Sequence, residues 1–288
     1  MSQNDFVISA YNVRMPKIIY GTAWKKDRTA SLVEKAVKLG FRGIDTACQP
    51  KHYNEAGVGA GLASCLATGL ARSDIYLQSK FTPTEGQDPN RMPYDPKAKL
   101  SEQVAKSFET SLHNLQTTYL DGLVLHSPFR DEGKMVEVWQ AMESIFDSGG
   151  AKQLGISNCH NLEMFESLYR KARVKPAVLQ NRLYAVTHYD SKIREFCRQY
   201  GIFYQSFWTL TANPHILAHG SFRMLAAKYG YTPEQIFFRY LTQNDTIVLS
   251  GTASVAHMCE DLAIFDFELA QSDCDEVAGL LLEAAAHQ

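Results

Sequence analysis

The sequence predicts a closed barrel of eight parallel β-strands, each followed by helix. Three observations carry that expectation. Short apolar runs alternate with longer stretches of helical periodicity from residue 18 to the C-terminus, and such alternation gives a parallel sheet with right-handed crossovers. Eight units within 288 residues match a (β/α)8 barrel better than an open doubly wound sheet. No Gly-x-Gly-x-x-Gly follows the first strand, so the fingerprint of the open dinucleotide-binding sheet is missing.

Taken in order, residues 6–19 mix apolar residues with Asn12 and Pro16 and predict a short hairpin ahead of the barrel. Strand 18–20 then precedes helix 30–39, strand 42–45 precedes helix 54–67, and strand 75–80 precedes helix 98–115. The next units pair 122–126 with 135–146, 152–157 with 162–172, and 177–180 with 191–200. Strand 202–206 is followed by two helices, 222–229 and 233–241, and strand 246–250 by helix 255–264. A last helix covers 272–285. Residues 83–96 read as a loop rather than a linker, and the units share no sequence repeat. The chain reads as one barrel domain over residues 1–288.

Composition narrows the function. At 45% hydrophobic the chain can bury a large core, and its net charge of -2, with no basic block, argues against nucleic acid or an anionic membrane surface as partner. No stretch approaches the roughly 20 apolar residues of a membrane span. Residues 1–5 have neither the basic start nor the apolar run of a signal peptide. Six scattered cysteines form no Cys-x-x-Cys pair, which argues against a disulfide framework or structural zinc and for a cytoplasmic protein.

The chemistry centres on residues 43–55, Gly-Ile-Asp-Thr-Ala-Cys-Gln-Pro-Lys-His-Tyr-Asn-Glu, which leave a strand and enter a helix at Asn54. Alone, Asp45 could cap a turn and Tyr53 pack on a surface. In a (β/α)8 barrel, however, the reactive face lies at the carboxyl ends of the strands. Those ends carry Asp45, Lys80, His126, Ser157-Asn158, Gln180 and Phe207. Each has a structural explanation by itself, as a loop charge, turn residue or helix cap. An acid, a base and an imidazole leaving successive strands are harder to explain that way. A lysine paired with a carboxylate favours ionisation of a nearby phenol and lowers its pKa. A phenol so tuned can protonate an oxygen on which charge develops, while a neutral imidazole orients it. No serine or cysteine has a partnering base and no metal-ligand spacing is present, so a cofactor would supply the nucleophile, as hydride.

In these residues the chain resembles the aldo-keto reductase family, from about residue 15 to the last helix. The family's Asp, Tyr, Lys and His tetrad matches Asp45, Tyr53, Lys80 and His126 (the last in Leu-Val-Leu-His-Ser-Pro), and further matches are Gly21-Thr22-Ala23-Trp24 and Leu154-Gly155-Ile156-Ser157-Asn158. The resemblance implies that Ser157, Asn158 and Gln180 hold a nicotinamide carboxamide, and that Phe207, followed by Trp208, Thr209 and Leu210, stacks on its ring. It implies NADPH, with NADH possible, bound also by Ser250, Gly251, Thr252, His257, Glu260 and Asp261. Trp24, Tyr53, Phe81, His126, Phe129 and Trp208 would line a shallow pocket for a small carbonyl substrate.

Three departures qualify the match. The family separates its tyrosine from Asn-Glu by one residue, whereas Tyr53 directly precedes Asn54-Glu55 and His52 takes the counted-back position. Tyr53 is preferred as donor because Lys80 can tune a phenol, and His52 stays the alternative. Gly251 and His257 replace the family's phosphate-binding Lys and Arg. The segment after His126 is short, which opens the pocket. The expected activity is reduction of an aldehyde or ketone by a monomer. The alternatives are a cofactor-binding regulatory or sensor barrel and an inactive structural relative.

Overall fold

The computed structural model describes residues 5–286. Of residues 1–5, read above for a signal peptide, only Asp5 lies within the described residues.

Strands β1 (Phe6–Ile8) and β2 (Arg14–Pro16) form the expected antiparallel hairpin, with Val7 opposite Met15. Eight parallel strands follow: β3 (Ile18–Gly21), β4 (Gly43–Asp45), β5 (Tyr76–Phe81) and β6 (Gly122–Leu125), then β7 (Leu154–Ser157), β8 (Val178–Arg182), β9 (Phe203–Phe207) and β10 (Thr246–Ser250). Each pairs with its sequence neighbour, and β10 closes on β3 with Leu249 opposite Ile19. The hairpin closes the amino-terminal end of the barrel. Its Val13 and Met15 are buried against Tyr76, Ala177 and Val178, at the starts of β5 and β8.

The helices follow the expected rhythm. They are α1 (Thr29–Leu39), α2 (Glu55–Leu66), α3 (Leu100–Leu115), α4 (Glu132–Asp147), α5 (Leu162–Lys171) and α6 (Ser191–Gln199). Between β9 and β10 lie α7 (Pro214–Leu217), α8 (Gly220–Tyr229) and α9 (Pro233–Gln243), and α10 (Val255–Leu262) and α11 (Gln271–Ala286) close the chain. Only α7, a single turn started by Pro214, was not expected. Side-chain caps fix several starts: Asn54 accepts from the Gly57 amide, Asn161 from Met164 and Ser254 from His257. The cap on α2 matters most, because it fixes the chain one residue after Tyr53. Glu55 anchors the same turn from below, its buried carboxylate accepting from Ser79 and Ser111. Helix α2 also lies unusually close to its neighbours, since a Cβ at Gly59 would meet the Asn114 carbonyl at 2.2 Å.

The barrel interior is polar over much of its depth. Gln78 and Gln205 form a reciprocal amide pair at 2.9 and 3.1 Å, and Gln78 also accepts from the Tyr76 hydroxyl. Gln180 donates to Gln205 at 2.9 Å. Above this layer sits Asp45.

Candidate active site

Strand alternation turns Asp45, Gln78 and Lys80 into the barrel. The Lys80 ammonium bridges both Asp45 oxygens at 2.6 and 2.7 Å and donates a third bond to the Thr46 carbonyl at 2.8 Å. Gln78 and Gln180 donate to the same carboxylate at 2.7 and 3.0 Å. The pair is sealed, the two side chains being 1% and 3% exposed. Burial pulls the Lys80 ammonium below its ordinary value, and the Asp45 carboxylate opposes that pull.

Tyr53 lies over this pair. Its ring centroid is 5.2 Å from Lys80 Nζ and 5.9 Å from the His126 ring, with the planes 70° apart. Backbone bonds from the His52 and Tyr53 amides to the Gln49 carbonyl form a single turn ahead of the Asn54 cap. His52 lines the same cavity, with its ring packed on Trp24 at 4.0 Å. Of the two, it is Tyr53 whose ring lies against both Lys80 and His126.

The expected direction of the phenol's shift is corrected. Desolvation, and then the Asp45 carboxylate, push the Tyr53 phenol well above its ordinary value. Lys80 is bound to both oxygens of Asp45, and the carboxylate so held lies near enough to the phenol to add to the rise. The phenol keeps its proton at neutral pH. His126 moves the opposite way, held neutral by burial and by the Lys80 charge, with the Thr82 hydroxyl 2.7 Å from Nδ1.

A cavity of about 990 Å³ opens above these groups. Trp24, Tyr53 and His126 line one part of it, Ser157, Asn158, Gln180 and Phe207 another. Gly21, Ala23, Asp45, Trp208, Thr209 and Leu210 also reach it, and Ser250, Gly251, Thr252, His257, Glu260 and Asp261 line its β10 end. Lys80 lies beneath the wall rather than on it.

Three expected wall residues lie elsewhere. Thr22 is buried and its hydroxyl donates to the Asp45 carbonyl. Phe81 follows inward-facing Lys80, so alternation turns it outward, against Tyr94 at 5.7 Å. Phe129 packs against the core.

The amide protons at the cavity's centre are already placed. The Ser157 hydroxyl donates to the Gln180 carbonyl at 2.7 Å, and Asn158 Nδ2 to the His126 carbonyl at 2.8 Å. With both its amide protons directed into the barrel, Gln180 offers a ligand its oxygen.

At the β10 end the Ser250 hydroxyl donates to Asp261. Burial pushes the Asp261 carboxyl up to about 6, with Glu260 and Glu234 adding to the rise and Ser250 and His257 opposing it. A carboxyl raised in the folded state stabilises the fold most below its unfolded value near 4, and that contribution is lost as pH rises through about 6. Asp261→Asn, which keeps an acceptor for Ser250, is expected to stabilise the protein at pH 7 by up to about 3 kcal/mol. It should also flatten the decline in Tm between pH 4 and 6. A variant whose Tm falls with pH as steeply as the parent's would show that Asp261 is not the titrating group.

Several cavity residues went unread in the sequence. Lys25 is one: its ammonium donates to the Gly251 carbonyl, so a lysine does reach the position where Gly251 replaces one. Thr82 and Arg182 also line the cavity, as do Glu234 and Phe238 at the β10 end. Alternation carried two residues past Lys80 and Gln180 would have found Thr82 and Arg182. Nothing local marks Lys25, Glu234 or Phe238.

Comparison with known proteins settles the family. The aldo/keto reductase family profile matches residues 17–281. The chain belongs to the aldo/keto reductase family. It is 29% identical over 249 residues to the glyoxal reductase of Bacillus subtilis (strain 168), spanning 86% of this chain and 82% of that protein. It is 30% identical over 268 residues to aldo-keto reductase Rv2971 of Mycobacterium tuberculosis, spanning 92% and 87%. The crystal structure of an aldo/keto reductase from Brucella melitensis superposes with a TM-score of 0.80 at 28% identity, covering 96% of this chain and 98% of that one. A Gox0644 mutant in complex with NADPH gives the same TM-score and identity over 97% and 94%. The reductase thus has a nicotinamide-dinucleotide-binding fold of an oxidoreductase family. Among the described residues no helix is long and apolar enough to cross a membrane.

Proposed function

We propose that this reductase converts a small aldehyde or ketone to the alcohol, with Tyr53 giving its proton to the carbonyl oxygen. The observation that carries the reading is the placement of Tyr53, a protonated phenol wedged between the Lys80–Asp45 pair and a neutral His126 at the floor of the cavity. Neutral His126, fixed through Nδ1 by Thr82, can donate through its other nitrogen to the same oxygen and hold it in place. As the phenol releases its proton, the Lys80 charge stabilises the phenolate that forms, and Asp45 keeps that lysine oriented.

The cavity's residues fit NADPH. When bound, NADPH supplies the hydride that the carbonyl carbon accepts. Ser157, Asn158 and Gln180 present oxygens to a carboxamide NH2, and Phe207 offers its ring to the nicotinamide. Gly21 and Ala23, with the residues from Ser250 to Asp261, would take the adenosine end. Trp24, Trp208, Tyr53 and His126 form the substrate's surroundings. Six unpaired cysteines suit a reducing compartment, and on that ground we place the protein in the cytoplasm; we also read it as a monomer.

The test is loss of reduced-nicotinamide absorbance with a panel of aldehydes, run in parallel with NADPH and NADH. Glyoxal belongs in the panel because a relative is named for it. Turnover with at least one aldehyde is expected. Tight cofactor binding without turnover on any of them would point instead to a barrel that binds nucleotide and does no chemistry.

A further inference from the structure

We propose that Arg182 holds the diphosphate of the dinucleotide, and that this contact, common to NADH and NADPH, carries most of the charge recognition of the cofactor. The inference rests on the reading that the cavity takes a nicotinamide dinucleotide, and it deepens that reading.

Arg182 ends β8, two residues past Gln180, so alternation sets it above Gln180 over the barrel mouth. It lines the cavity, with its guanidinium carbon 4.1 Å from the Trp208 ring centroid and 5.3 Å from that of Tyr184. Among the described residues its guanidinium has no ion pair and no hydrogen bond; its contacts of this kind are the two rings. A guanidinium packed on aromatic faces keeps its in-plane N–H donors free, and that fork matches phosphate oxygens. A permanent cation beside a cavity, its donors unspent, is suited to receive an oxyanion.

Topology says which oxyanion. The residues for the carboxamide lie on β7 and β8, and those for the adenosine end follow β10. Strand β9 stands between β8 and β10 in the closed sheet. A dinucleotide joining the two ends must therefore cross the segment after β9, Trp208 to Thr211. Arg182 lies against Trp208 at that crossing.

The β10 end has the opposite character. Glu234, Glu260 and Asp261 line it, while Gly251 and His257 stand where the family's phosphate-binding Lys and Arg were expected. Lys25 reaches this end, yet donates to the Gly251 carbonyl. Asp261 stands beside His257 and offsets what that imidazole could give a 2′-phosphate. Among the described residues lining the cavity, Lys25 and Arg182 are the cations without an ion pair, and of the two only Arg182 has a side chain free of hydrogen bonds.

The experiment measures dissociation constants by calorimetry for ADP-ribose, NADH and NADPH, with the intact protein and its Arg182→Gln and Arg182→Lys variants. Calorimetry needs no turnover and is blind to changes in Trp208 emission. Arg182→Gln is expected to weaken all three ligands by a similar factor, about 10- to 100-fold, and to reduce the salt dependence of binding. Arg182→Lys should recover part of the loss, since an ammonium keeps the charge and loses the fork. Equal affinity of the parent and a folded Arg182→Gln protein for ADP-ribose would overturn the assignment while leaving the proposed reduction standing. So would unchanged cofactor affinity with a raised KM for 4-oxobutanoate but not for butanal, because the anion would then be the substrate's. A parent protein binding none of the three ligands would overturn both readings.

Discussion

Replacing Tyr53 by phenylalanine is expected to lower the rate of carbonyl reduction by about 10²- to 10⁴-fold, the usual worth of general acid catalysis. Only the hydroxyl is removed. The ring would keep its place 5.2 Å from Lys80 Nζ and edge-on to His126, so cofactor affinity should stay within about twofold of the parent's. Desolvation holds the phenol above its ordinary value of 10.0, so the parent's rate should show no loss of its donor below that pH. His52→Phe preserves a ring against Trp24 and the backbone bond from the Trp24 amide to the His52 carbonyl, and should cost little. Single-turnover rates, with cofactor affinity by calorimetry, decide the matter. A nearly normal Tyr53→Phe protein beside a dead His52→Phe protein would transfer the role to the imidazole.

The second large effect is expected from Lys80→Met. The substitution leaves the Asp45 carboxylate 2% exposed, with only the Gln78 and Gln180 amides as side-chain donors. Breaking one side of a buried pair costs about 3–5 kcal/mol, because the surviving charge is neither solvated nor matched. Activity should fall too. The uncompensated carboxylate would raise the phenol further and make it a weaker acid, so the rate should fall at every pH below the phenol's ordinary value of 10.0. Asp45→Asn added to Lys80→Met should return much of the stability and little of the activity. A folded Lys80→Met protein with the parent's stability and rate would remove the proposed coupling between the pair and the phenol.

The barrel, its hairpin and the boundaries of most helices could be read from the sequence because each depends on a local period. Helix α7 could not, since a four-residue turn carries no period to detect. Among site residues, Asp45, Lys80, His126 and Gln180 were legible from their place at strand ends. Phe81 was misplaced by counting it as wall when the same alternation that turns Lys80 inward turns it out. The direction of the Tyr53 shift depends first on how deeply the phenol is buried and then on the Asp45 carboxylate beside it, and no spacing in the chain reveals either. Lys25 reaches Gly251 across 226 residues of sequence, a contact that only the closure of β10 on β3 creates.

The glutamine-filled interior limits how this barrel can evolve. Gln78, Gln180 and Gln205 meet one another and Asp45 with each bonded amide proton received by a named oxygen. An apolar replacement of any one strands a donor or acceptor on its neighbours, a loss of about 1–3 kcal/mol where water cannot enter. Changing facing members together leaves no such orphan. Drift in this layer is therefore expected to be strongly epistatic, with viable lineages exchanging residues in correlated sets rather than singly. The exceptions are the two amides that touch Asp45, those of Gln78 and Gln180, which couple the inheritance of the barrel's filling to the inheritance of its chemistry.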